Sequence, residues 1–212
     1  MATTIQTKLA YAAASANNIS TVASPGAGAI LINGSAVVGG VAILDAARRV
    51  LITSGTSDTG ITLTVTGTNF AGNPLTETIT GGATTASTTQ DFKTVSSVTH
   101  SGSVAGTLTV GTSGVGSSPW FYIDRDVNPI NLGIGVTVTG TINYTVEYTY
   151  DDPNAPFSGT FPTVWSLSAL AAKAANTDSS ITFPIQAIRL TQNSFTNPGT
   201  ASMIVLQTVM RA

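Results

Sequence analysis

The chain has 212 residues, 42% of them hydrophobic and only 8% charged, with 21 glycines, 9 prolines and no cysteine. Eight basic against ten acidic residues give a formal charge of −2, so no positive field exists to attract nucleic acid phosphates. The lack of cysteine excludes disulfides, thiolate metal sites and thiol nucleophiles, and the single histidine, His100, removes most imidazole chemistry. Threonine, roughly one residue in six, takes the place of charge on the polar surface. The apolar fraction is too high and the net charge too low for disorder.

The segment 1–45 reads as an N-terminal arm followed by short strands. Leu9–Ala16 is a short apolar run ending in small residues, and residues 1–25 bury too little apolar area to order alone, so they are expected to order on a neighbouring subunit. No charge occurs between Lys8 and Asp45. Ser24-Pro25-Gly26, Asn33-Gly34 and Gly39-Gly40 cut that stretch into pieces far shorter than the ~20 residues of a spanning helix, which argues against a membrane partner. The pieces Ala29–Ile32 and Val41–Leu44 read as short buried strands.

Residues 46–115 form a first β module. Ile61, Leu63 and Val65 alternate with threonines, and Leu75–Thr80 returns as the partner strand after the turn Phe70–Pro74. Phe92–Val98 and Thr107–Val110 read as a further pair around Ser101-Gly102-Ser103. Residues 116–212 form a second module. There Ile134–Thr139 and Thr141–Tyr150 alternate around Gly140, and Ile181–Leu190 and Ala201–Met210 alternate across a loop Asn193–Gly199. Only Leu167–Asn176, rich in alanine, reads as helical. Leu63–Thr68 matches Val136–Thr141 in pattern, so 46–115 and 116–212 are either two similar sandwich modules or the two sheets of one sandwich.

Signatures of chemistry are sparse. No G-x-S-x-G accompanies His100, which reads as a strand residue beside a turn. Asp124 and Asp126 flank Arg125, and Asp151-Asp152 precedes Pro153. Neither pair makes a calcium loop, and the simpler roles are salt bridging by Arg125 and turn formation by Asp152. Phosphate-binding glycine loops are absent. No catalytic residue, metal or cofactor is expected. Aromatic residues are the remaining candidates, as interface anchors: Trp120, Phe121 and Tyr122 in one run, and Tyr144, Tyr148 and Tyr150 sharing parity on one strand. Phe157, Phe161 and Trp165 follow.

Three strings, Ala47–Ser54, Gly60–Thr68 and Asn73–Thr80, are similar to structural proteins of tailed bacteriophages. Phe92–Val98, Asn143–Pro153 and Ala187–Thr191 resemble the same group, so the resemblance runs from about residue 40 to the end. It implies a virion component, and head decoration (cement) proteins are the type it resembles first. Such proteins have jelly-roll or sandwich folds and associate as trimers in many cases. The resemblance therefore implies a major capsid protein as partner, a homo-oligomer with a trimer favoured, and a place on the phage head after assembly in the host cytoplasm. The alternatives are a tail or fibre receptor-binding module that takes glycans, a head–tail adaptor and a tail-tube subunit.

The fold class expected is therefore all-β, sandwich- or jelly-roll-like, with an extended N-terminal arm. The far-UV circular dichroism spectrum should be dominated by β-structure, and a helix-dominated spectrum would contradict this reading.

Overall fold

The computed structural model describes residues 3–23, 28–104, 106–154 and 161–207. The Ser24-Pro25-Gly26 turn, Phe157 and the last three residues of the expected strand Ala201–Met210 lie outside them. Among the described residues the regular structure is β-strand, with one short 3-10 turn at Ser168–Leu170. The all-β expectation holds. The chain divides into two compact units, one of residues 13–116 and one of residues 1–12 with 117–212.

The unit of residues 13–116 contains β2 (Ser15–Ala23), β3 (Gly28–Ala29), β4 (Val37–Val38), β5 (Val41–Ser54), β6 (Thr62–Thr68), β7 (Pro74–Thr80), β8 (Thr85–Ser87), β9 (Phe92–His100) and β10 (Leu108–Ser117). Its sheet runs β2-β10-β5-β9-β6-β7, antiparallel throughout. The β6–β7 hairpin has the pairing its alternation implies, with Leu63 opposite Ile79 and Thr64 opposite Thr78. Leu63 and Val65 are buried with Val95, Val98, Leu108 and Val110. On the other face the threonines bond one another, Thr64 to Thr78 at 2.9 Å and Thr68 to Thr94 at 2.7 Å between hydroxyl oxygens. Hydroxyls thus satisfy that face without charge.

One expectation for this part of the chain is corrected. Phe92–Val98 and Thr107–Val110 do not pair with each other, because β5 lies between β9 and β10. The connection after His100 is long enough to step over one strand, a distance of about 9–10 Å for two strand spacings. Glu77, which alternation puts on the apolar face of β7, is buried there as a carboxylate. It accepts the Thr89 amide (2.8 Å), the Thr89 hydroxyl (2.7 Å) and the Gln90 amide (2.9 Å), which fixes the turn before β9.

The centre of the unit is an irregularity on β5. Against β9, Ile43 faces Thr94 and Arg48 faces Phe92, so four residues of β5 lie opposite one of β9. Against β10, Val50 faces Thr112 and Arg48 faces Gly116, so three residues of β10 bulge opposite one of β5. Bulges leave ladder groups unpaired. Here side-chain cations take their place. The Arg48 guanidinium donates to the Ser113 carbonyl through Nε (3.2 Å) and Nη2 (2.5 Å) and to the Asp45 carboxylate through Nη1 (3.2 Å). Lys93 Nζ donates to the Leu44 carbonyl (2.7 Å) and the Asp45 carbonyl (3.2 Å). Arg48 is only 1% exposed.

The unit of residues 1–12 and 117–212 contains β1 (Thr3–Leu9), β11 (Phe121–Tyr122), β12 (Leu132–Thr149), β13 (Trp165–Ser166), β14 (Thr177–Ile181) and β15 (Ala187–Gln207). Its backbone is the long antiparallel ladder of β12 and β15, from Leu132 opposite Gln207 to Thr149 opposite Ala187. β14 and β1 flank one half of that ladder, and β13 and β11 flank the other. The N-terminal segment is extended, as expected, but it is already paired within its own chain, Thr3 to Leu9 lying against Gln207 to Ala201.

The loop expected at Asn193–Gly199 is instead strand with two irregularities. Asn197-Pro198-Gly199 bulges opposite Gly140, whose φ of +72° lies in the left-handed region that glycine tolerates. Asn193 is a single extra residue, since Asn143 faces Ser194 and Tyr144 faces Gln192. One extra residue switches which positions of β15 face a given side. Met203 and Val205 therefore lie on the same side as Leu190 and Ile188, and all four are buried. The Asn193 amide holds the bulge by donating to Asn143 Oδ1 (2.7 Å) and Thr145 Oγ1 (2.9 Å).

Leu167–Asn176 does not form the expected helix. A segment this short is marginal as a helix in water, and β12 captures its backbone instead. Tyr144 and Lys173 exchange backbone hydrogen bonds of 2.8 Å each way, and Ala172 N donates to Thr145 Oγ1 at 3.0 Å. Leu170 is buried beneath this segment.

Replacing Arg48 with Ala should lower stability by about 3 kcal/mol in denaturant melts, because a cavity is left where the buried side chain stood and the half-buried Ser113 carbonyl loses its donor. Arg48→Lys should recover only part of this, since one ammonium cannot reproduce the planar fork. Full stability in the Lys variant would contradict the assignment.

Candidate functional site

The six aromatic residues singled out in the sequence do not lie on one surface. Paired residues of neighbouring strands share a face of the sheet. Tyr148 is paired with Trp165 on one side and Ile188 on the other, and Ile188 is paired with Phe121. One row across β13, β12, β15 and β11 therefore reads Trp165, Tyr148, Ile188, Phe121. The alternate row, Glu147 opposite Arg189, belongs to the other face.

Tyr144 is in the core, 0% exposed, with its hydroxyl donating to the Ala175 carbonyl at 3.0 Å. Its place in the alternation carries it under the captured segment 167–176, so it offers no surface to a partner. Trp120 lies beneath Arg189, whose guanidinium carbon sits 4.4 Å from the ring centroid. Arg189 Nε also donates to Glu147 Oε2 at 2.7 Å, and Thr191 Oγ1 donates to the same oxygen at 2.7 Å. This stack is a closed arrangement of partners. Tyr122 is exposed and its hydroxyl donates to Asp152. Asp152 also accepts the Asn154 amide at 3.0 Å, so it forms the turn expected of it.

Tyr148 and Tyr150 are the two that meet a larger feature. Their rings are 5.7 Å apart and edge-to-face, Phe183 lies 5.5 Å from Tyr148, and Trp165 lies 6.5 Å from Tyr150. Tyr150 is 54%, Trp165 50% and Phe183 37% exposed. Such pairings at 4.5–7 Å are favourable for aromatic rings. The shared parity of Tyr148 and Tyr150 is visible in the sequence. Trp165 and Phe183 join them through the two-residue strand β13 and the approach to β15, which no local pattern announces.

The groups considered for chemistry have structural partners. His100 is buried at the end of β9, with Nδ1 bonded to the Gly102 carbonyl at 2.6 Å. Asp124 Oδ1 accepts the Asp126 amide at 3.0 Å, and Gln207 holds the Asp124 backbone by accepting from its N and donating to its O. Among the described residues no group of three or more His, Cys, Asp or Glu side chains could hold a metal ion.

No family model and no curated protein sequence matches the chain. Among solved structures, it is similar to the major capsid protein P2 from bacteriophage PM2 at 8% identity, covering 98% of each chain with a TM-score of 0.25. It is also similar to a chain described under "The Triple Jelly Roll Fold and Turret Assembly in an Archaeal Virus", at 16% identity and a TM-score of 0.22. That match covers 88% of this chain and 56% of the other.

Two phenols are shifted. Burial, then the hydrogen bond and charge of Asp152, push Tyr122 above the ordinary tyrosine value, and burial, then neighbouring Tyr150, does the same for Tyr148. A raised folded-state value contributes stability that is present below the unfolded value near 10 and is lost as pH rises through the folded one. Alkaline titration at 295 nm should show late-ionising phenols, with Tyr122→Phe and Tyr148→Phe each removing one. Unchanged curves in both variants would contradict the assignment.

Proposed function

We propose that the chain is a non-enzymatic structural component of a phage virion, a decoration or cement protein that binds the major capsid protein and stabilises the head. The observation that carries this reading is where the scarce charges sit. Arg48, Lys93 and Arg189, three of eight cations, are engaged with Ser113, Leu44, Asp45, Glu147 and Trp120 inside the fold. Glu77 is likewise occupied by three internal donors. Titratable groups here support bulges and turns, as a stiff scaffold requires. The outward face of β6 and β7 is hydroxyl-bearing strand, a surface suited to extended contact. The resemblance of Ala47–Ser54, Gly60–Thr68 and Asn143–Pro153 to tailed-phage structural proteins points the same way.

Exposed strand edges are usually guarded by charge. With so few surface charges, edges are better covered by other subunits, which supports a cyclic homo-oligomer, with a trimer favoured by the resemblance. Binding only the assembled lattice raises its stability by mass action, and many weak contacts on a repeating surface add up. The place in the cell that follows is the virion head, with assembly in the host cytoplasm.

Because attachment rests on apolar area and uncharged hydrogen bonds, it should survive a molar salt wash that strips charge-steered proteins. Particles carrying the protein should release DNA at a higher temperature than particles lacking it. Equal release temperatures, or loss of the protein in the wash, would overturn the reading.

A further inference from the structure

One half of the β12–β15 ladder is a four-stranded sheet in the order β1-β15-β12-β14, antiparallel throughout. Its rows are in step. Thr4, Leu206, Gly133 and Ser180 lie side by side, and so do Gln6, Ile204, Gly135 and Asp178. These rows face outward, whereas Leu132, Ile134, Val136, Met203 and Val205 in the alternate rows are buried. Among the described residues no strand pairs with the second edge of β1 or of β14. The paired segments Thr3–Leu9, Ala201–Gln207, Leu132–Val138 and Thr177–Ile181 carry charge at Lys8 and Asp178 alone. One charge sits on each edge strand, and both residues are exposed on the outer face. Neither has a hydrogen bond or ion pair among the described residues.

From this arrangement we infer that the second edge of β14 takes β1 of another copy of the chain, head to tail, so that the sheet continues from copy to copy. This junction rests on the cyclic homo-oligomer proposed above and names its two surfaces. Four antiparallel strands leave β1 and β14 running in opposite directions. A second copy in the same orientation therefore lays its β1 antiparallel to β14, and the backbone groups of both edges gain partners. Parity agrees as well. Ser180 and Asp178 share a face with Thr4, Gln6 and Lys8, so the outer face stays outer across the junction. With the rows kept in step, Gln6 stands opposite Asp178 and Lys8 is its diagonal neighbour, within reach of a long side chain. Charge selects this pairing over the two-fold alternatives. β1 against β1 offers Lys8 no carboxylate, and β14 against β14 offers Asp178 no cation. A contact whose two sides differ closes into a ring where the rotation between copies allows it. Each junction is short, and closure makes the last one intramolecular.

The test uses the full chain, which has no cysteine of its own, so that introduced thiols are the only ones. Thr4→Cys combined with Ser180→Cys keeps Lys8 and Asp178 and puts one thiol on each edge strand, in the same row. Within one copy that row holds them three strand spacings apart, about 14 Å. Across the junction they are neighbours. A short bismaleimide should link the double variant into a ladder that ends at one ring size, while each single variant stays unlinked. Lys8→Glu in the double-cysteine background should lower the linked fraction about threefold or more, and adding Asp178→Lys should restore it. All four positions are exposed, and circular dichroism checks that each variant folds. Linked dimers from a single-cysteine variant would show two-fold pairing and overturn the junction. Linking that ignores Lys8→Glu would overturn the charge selection on which the pairing rests. An oligomer in analytical ultracentrifugation whose double variant does not link overturns this junction and leaves the oligomer standing, whereas a monomer overturns both.

Discussion

The unit of residues 13–116 depends on one guanidinium. A sheet built from long strands must place a bulge wherever its faces need to be re-aimed, and every bulge leaves carbonyls that the ladder no longer serves. At the centre of β5 both neighbouring strands slip at the same place. Arg48 and Lys93 reach the resulting carbonyls of Ser113, Leu44 and Asp45 from within the fold. Planar, five-donor chemistry is what lets Arg48 serve a carbonyl and a carboxylate at once. The same logic recurs with other side chains. Glu77 serves the amides of the turn before β9, and Asn193 serves the single-residue bulge that re-aims β15.

The proposed function rests on the same allocation. A chain with so little charge, much of it engaged at irregular points of its own backbone, keeps few groups for proton transfer or metal binding. The outer face of β6 and its neighbours β7 and β9 is finished with threonine instead, where hydroxyls bond to hydroxyls as in the pairs Thr64–Thr78 and Thr68–Thr94. Threonine also suits the strand through its branched Cβ. Such a face carries no titratable group and repeats along the paired strands. Those properties suit the proposed structural role. The aromatic face at Tyr150 and Trp165 departs from this pattern.

Alternation made much of the fold legible. The Thr62–Thr68 and Pro74–Thr80 hairpin, the inward Leu63 and Val65, and the strands around Gly140 all follow from period two and turn residues. What alternation does not carry is pairing across the chain. Phe92–Val98 and Thr107–Val110 are neighbours in sequence but are separated by β5, since sheet order depends on distant partners. Bulges were equally hidden, because Asn197-Pro198-Gly199 has the same composition in a loop and in a strand opposite Gly140. The alanine-rich run at 167–176 has helical propensity, yet bonds from Tyr144 and Thr145 outweigh it. For the candidate site, the parity of Tyr148 and Tyr150 was readable. The burial of Tyr144, the Arg189–Trp120 stack and the arrival of Trp165 and Phe183 are products of tertiary pairing.

The most direct test of the structural role is the number of copies of this chain per purified particle, measured by quantitative mass spectrometry against the major capsid protein. A component that stabilises the head across its lattice should be present in a fixed ratio of the same order as the capsid protein itself. A handful of copies per particle, or none, would contradict that role.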